Sequence, residues 1–155
     1  MKLTVQRVNR ASVTVLRQAQ DNDGKIVGKI GKGYLVLLGV RDGDGQEDVN
    51  AMVDKLIKLR IMSDDSGKMN LSIKDVGGEV LVISQFTLYA DTSKGNRPSF
   101  EKAAKPEVAE DLYKYFISKL EEKGVIVETG KFGAHMVIDV TLDGPVTIEL
   151  TSDKR

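Results

Sequence analysis

Cysteine is absent from this chain. That excludes a disulfide framework, thiolate-ligated metal and a cysteine nucleophile. Tryptophan is absent too, and histidine occurs once, at His135. A Ser-His-Asp arrangement could only use His135, and a zinc site would have to combine it with carboxylates, an unusual ligand set. No metal and no cofactor is therefore expected. Neither sign of charge is in excess, with 23 Lys and Arg against 23 Asp and Glu. Proteins that grip extended duplexes usually carry a basic surplus, so DNA is not expected as a partner; holding one nucleotide end needs only a local patch. Long apolar runs are missing: the longest block is Tyr34-Leu35-Val36-Leu37-Leu38, against the ~20 residues of a membrane span. The opening Met1-Lys2-Leu3-Thr4-Val5-Gln6-Arg7 alternates like a strand and lacks the pattern of a signal peptide. A cytoplasmic protein without a membrane partner is the expectation.

What is present suits one domain spanning residues 1–155. Its 155 residues are 41% hydrophobic, enough for a real core. Alternation and β-branching predict strands at 3–8, 12–16, 26–30 and 34–40, the last apolar on both faces and so central. Further strands are predicted at 71–73, 79–84, 125–128, 134–142 and 146–150. A loop or hairpin turn is predicted over 18–25, and a frayed tail over 151–155. Val49, Met52, Val53, Leu56 and Ile57 form one stripe of a helix over 46–61. Val108, Ala109, Leu112, Phe116 and Leu120 line a second helix over 106–123, with Pro106 in its first turn and Gly124 at its stop. Two helices cover only one sheet face. The economical fold is α/β of the α+β type: two packed β-sheets with a helical layer on one face, in a β-rich single domain.

Proline is scarce, and one of the three is oddly placed. Gly144-Pro145 separates two predicted strands where Asp143-Gly144 alone would make a hairpin turn. Proline has no N–H for a sheet ladder, so pairing must break or bulge there.

Other candidates are weaker singly. Ser84-Gln85-Phe86-Thr87 leaves a buried strand for a loop and presents hydroxyls and an amide, but it also reads as an ordinary strand end. Asn96-Arg97-Pro98-Ser99-Phe100, with Lys94 and Lys102, suits a phosphate or ribose edge, or simply a solvated loop. Lys55, Lys58 and Arg60 mark a wet helix face, and His135 reads as an ordinary histidine. Gly28, Gly31 and Gly33 do not form a dinucleotide-binding fingerprint.

Together these segments resemble the D-aminoacyl-tRNA deacylase family. The resemblance is carried by Gln6-Arg7-Val8 with Arg10-Ala11-Ser12-Val13, by Gly67-Lys68-Met69-Asn70, and by Ser84-Gln85-Phe86-Thr87-Leu88 followed by Arg97-Pro98-Ser99-Phe100. Gly130-Lys131-Phe132-Gly133-Ala134 with Met136, leading to Asp143-Gly144-Pro145-Val146-Thr147, completes it. One position departs: the family usually has Asn before Asp-Gly-Pro, where this chain has Leu142.

The resemblance implies a homodimer with sites at the subunit interface, and a cis Gly144-Pro145 that reaches into the partner's site. The implied substrate is the 3′ end of a tRNA carrying a D-amino acid or glycine, whose ester is hydrolysed. Ser84, Gln85, Phe86 and Thr87 would line the pocket, with Pro98 and Ser99 on the substrate side. Arg7 would hold the Gly-Pro loop, and Phe132 and Met136 would lie near the terminal adenosine. With so little imidazole available, the expected mechanism rests on shape and backbone polarity: amides near Phe86 and Thr87 stabilise the oxyanion, and the ribose 2′-OH assists. A nucleophilic Thr87 is the rival route. Two other classes predict different behaviour: a non-catalytic RNA-end binder would bind without turnover, and a serine esterase built on Ser84 and His135 would lose activity without the imidazole.

Overall fold

The computed structural model describes residues 1–16 and 24–152. The turn expected over 18–25 and the end of the expected tail fall largely outside these residues. The chain order is β1 (Lys2–Val15), β2 (Lys25–Ile30), β3 (Gly33–Gly39), α1 (Gln46–Lys58), β4 (Met62–Ser63), β5 (Met69–Leu71), β6 (Glu79–Ser84), α2 (Pro106–Glu122), β7 (Ile126–Thr129) and β8 (Met136–Thr151). A short 3₁₀ turn, Phe86–Tyr89, follows β6.

The long β1 organises the sheet. One edge pairs antiparallel with β8 throughout; the other pairs with β3 over Lys2–Val8 and with β2 over Ala11–Val15. Strands β3, β6 and β7 continue the sheet in parallel. It curls until β2 meets β7: a Cβ on Gly28 would lie 2.6 Å from the Thr129 carbonyl oxygen. The two apolar layers that the sequence calls for are thus halves of one strongly curled sheet, with the β4–β5 ribbon beside it.

Strand alternation divides the core. On β3 and β6, Tyr34, Val36, Leu38, Val80 and Val82 face the helices, while Leu35, Leu81 and Ile83 pack inside the curl with Val8, Ala11, Val13 and Ile30. Val49, Met52, Val53 and Leu56 of α1 are buried as the stripe requires. So are Ala109, Leu112, Phe116 and Leu120 of α2. Val108 is not: it is 47% exposed, and Tyr113 takes its place in the buried face.

The sequence reading and the structure differ at ends and breaks. Helix α1 stops at Lys58 rather than 61, because Leu59 turns extended, at ψ 123°, and leads into β4. The expected strands 3–8 and 12–16 are one bent strand. The expected strands 134–142 and 146–150 are likewise one element, β8, running through Gly144-Pro145. Pairing there slips: Gln6 faces Thr147 but Val8 faces Leu142, so β8 bulges over Asp143–Val146. The proline does interrupt the ladder, but strand β8 continues on both sides of it. The Gly144-Pro145 peptide is cis.

Candidate active site

The carboxyl end of β6 and the amino end of β8 meet α2 around a cavity of about 570 Å³. Its walls include Ser84, Gln85 and Phe86 from the β6 exit, Phe100, Ala104, Pro106 and Ala109 along the approach to α2, and Phe132, His135 and Met136 ahead of β8. The size suits a small organic group, and the lining is largely apolar, as in most ligand pockets.

Local interactions set each wall. The Gln85 amide donates to the Leu38 carbonyl at 2.7 Å, tying the β6 exit to β3. Gly39 lies under that exit, where a Cβ would sit 3.0 Å from Leu88 Cβ and 3.1 Å from the Gln85 carbonyl oxygen. A side chain there would push the 3₁₀ turn back by a few tenths of an ångström. Phe86 projects into solvent, 55% exposed, and meets Phe100 edge-on at 5.0 Å. Phe132 leans on Tyr113 at 5.9 Å. The Tyr113 hydroxyl donates to the Val82 carbonyl at 2.8 Å, and burial pushes its pKa up to about 12.

The polar groups at this cavity are sparse. Thr87, expected to line the pocket with Ser84, Gln85 and Phe86, is not among its walls; its Oγ1 accepts a hydrogen bond from the Gln85 side-chain amide. That contact orients the Thr87 hydroxyl and offers no base to activate it. The amides of Phe86 and Thr87 have no hydrogen-bond acceptor among the described residues, so they remain available as donors. Ser84 and His135 both line the cavity, but no hydrogen bond joins them among the described residues. Among those residues, no cluster of three metal-ligating side chains occurs either.

Other candidates from the sequence lie elsewhere. Pro98 and Ser99 are on a loop beside the cavity and do not line it. Ser99 forms a two-bond bridge with Asp91, at 2.8 and 2.9 Å, and Lys102 pairs with the Asp91 carboxylate at 3.0 Å. Hydrogen bonds from Ser93 and the Lys102 ammonium hold that carboxyl well below its usual range.

Arg7, Gly144 and Pro145 form a second centre outside this cavity. Arg7 is buried, 7% exposed. Its Nε donates to the Asp143 carbonyl at 3.2 Å and pairs with the Asp143 carboxylate at 3.0 Å. Its Nη1 donates to the Ile61 carbonyl at 2.8 Å and to Ser63 Oγ at 3.2 Å. One cation therefore pins the bulge before Gly144 to the α1–β4 junction. Gly144 and Pro145 themselves are exposed.

Sequence reading missed the α2 wall. Ala103-Ala104 and Pro106 are small apolar residues inside a charged stretch, and that contrast was the available signal. It also set His135 aside, although that residue borders the cavity.

Known proteins resemble this chain over its whole length. Residues 4–151 match the family model described as D-Tyr-tRNA(Tyr) deacylase. A D-aminoacyl-tRNA deacylase of Clostridioides difficile is 53% identical over 154 residues, covering 99% of each chain. One from Natranaerobius thermophilus is 51% identical over 156 residues, covering 100% of this chain and 99% of the relative. A solved structure of the c-Myc DNA Unwinding Element Binding Protein superposes with a TM-score of 0.89 at 43% identity, covering 99% of this chain and all of that one.

Proposed function

The chain belongs to the D-Tyr-tRNA(Tyr) deacylase family, and we propose on that footing that it is a carboxylic-ester hydrolase that discharges D-aminoacyl-tRNA in the cytoplasm. The observation that carries the reading is the match over residues 4–151, joined to a cavity lined on one side by Ser84-Gln85-Phe86.

The chemistry follows from what the cavity offers. An aminoacyl ester is already activated, so positioning and oxyanion stabilisation can suffice. The substrate enters with its terminal adenosine against Phe132 and Met136. The amides of Phe86 and Thr87 stabilise the oxyanion, and the ribose 2′-OH assists water or the leaving group. Ser84 and Gln85 shape the pocket and orient Thr87, while Pro98 and Ser99 border the approach.

Handedness is set by exclusion. The working unit is a homodimer in which Gly144-Pro145 of one subunit closes the site of the other. Its carbonyl groups leave room for a hydrogen at the substrate Cα and none for an L side chain; a D side chain points away, and glycyl-tRNA is accepted. Strand β8 supports a dimer: its outer edge has no strand partner among the described residues, and Val137, Val140 and Leu142 are exposed along it. A long apolar strand edge of this kind calls for a cover. Arg7 acts on the bulge through Asp143, as a positioning residue.

The assay is discharge of D-Tyr-tRNA against a no-protein control. Thr87→Ala is expected to keep turnover within about threefold of wild type, because no base activates that hydroxyl. His135→Ala is expected to do the same, because no serine–imidazole pair forms. Complete loss in a folded Thr87→Ala protein that still binds substrate would establish a covalent route instead. Loss in His135→Ala would favour the serine-esterase reading.

A further inference from the structure

The cavity that would receive the terminal adenosine has no lysine or arginine in its walls. An RNA 3′ end nonetheless arrives with a phosphate on every nucleotide, and those charges must meet something at the mouth. Two lysines adjoin its wall residues in the chain. Lys105 lies between the wall residues Ala104 and Pro106, and Lys131 immediately precedes the wall residue Phe132. Both are exposed. Neither has an ion-pair partner among the described residues, in contrast to Lys102, which is held by Asp91.

We propose that Lys105 and Lys131 form a phosphate clamp at the rim of the cavity, taking the backbone phosphates that lead into the terminal nucleotide. This rests on the substrate reading above and adds a subsite to it. Lysine suits the task as a mobile point charge without fixed bonding geometry. A two-point clamp explains how a chain of formal net charge zero engages RNA: local cations act at the one place where the strand enters. It also divides labour, since the rim would hold the phosphates regardless of amino acid while the cavity reads the ester.

The test compares Lys105→Ala/Lys131→Ala with Lys55→Ala/Lys58→Ala, which makes the same charge change on the exposed face of α1. Two substrates are used: D-Tyr-tRNA, and the D-tyrosyl ester of adenosine, which has no phosphate. For D-Tyr-tRNA at low salt, the rim variant should lose about tenfold in kcat/KM, through KM, with the slope of log kcat/KM against log salt reduced by up to ~1.4. The adenosine ester should be turned over as by wild type, and the α1 variant should change little. Equal losses in the two lysine variants would overturn the clamp, as would an equal loss on the adenosine ester. Binding of a short single-stranded RNA ending in CCA, followed by fluorescence anisotropy, provides an arm independent of catalysis. If wild type hydrolyses neither ester, the deacylase reading fails, while the anisotropy difference between variants still decides the clamp.

Discussion

Gly144→Ala should abolish D-Tyr-tRNA discharge in a protein that remains folded. Gly144 has φ of +127°, a backbone region that L side chains rarely adopt. An added Cβ would also lie 2.8 Å from both the Val146 amide nitrogen and its Cγ2. The backbone must move, at a cost of about 1–3 kcal/mol. That is a fraction of the ~5–15 kcal/mol by which a domain is stable, so the curled sheet survives and the bulge does not keep its shape. A shift of about 1 Å in a positioning element can cost on the order of 100-fold in rate, and at least that loss in kcat/KM is expected. Single-turnover discharge, with far-UV circular dichroism and a urea titration, separates the two effects. Discharge within threefold of wild type, beside a lowered urea midpoint, would show that the bulge serves only the fold.

Arg7→Met should lose both stability and stereochemical selectivity. Methionine keeps much of the buried stem and removes the donors. The Ile61 carbonyl, which accepts from Arg7 Nη1 at 2.8 Å, is then left without that partner. An unsatisfied buried carbonyl costs about 1–3 kcal/mol. The ion pair adds less, because the Asp143 side chain is 35% exposed and water can replace the guanidinium. A total of about 1–4 kcal/mol is expected from equilibrium unfolding in urea. The functional consequence is separate: with Asp143 released, the exclusion surface at Gly144-Pro145 softens, and the D-to-L rate ratio should fall about tenfold. Arg7→Lys should recover part of the stability and little of the ratio, since one ammonium cannot reach Ile61, Ser63 and Asp143 together. An unchanged ratio in Arg7→Met would remove the positioning role.

Much of the architecture was legible because it depends on local periodicity. The α1 stripe, the apolar β3 and the strand over 79–84 follow from side-chain spacing alone. What escaped depends on distant partners. Nothing between 46 and 61 announces that Leu59 turns extended; the reason is the route into β4, where Ile61 must present its carbonyl to Arg7. The 3–16 segment looked like two strands because its alternation falters at Asn9-Arg10, where β1 changes partner from β3 to β2. Gly144-Pro145 was visible as an irregularity, but continuity of β8 across it comes from the ladder to β1. The cavity was half legible. Its Ser84–Phe86 side sits at a strand end, where side chains of chemical interest stand out. Its α2 side is made of small apolar residues that carry no chemical signature, and only packing reveals them.

The central claim is a handed ester hydrolysis, and parallel discharge of D-Tyr-tRNA and L-Tyr-tRNA by the wild-type protein tests it most directly. The account predicts rapid first-order release of D-tyrosine, with L-Tyr-tRNA decaying at the rate of the no-protein control. Equal acceleration of both esters would contradict selection by exclusion, and a D-ester rate equal to the control would contradict the hydrolase itself.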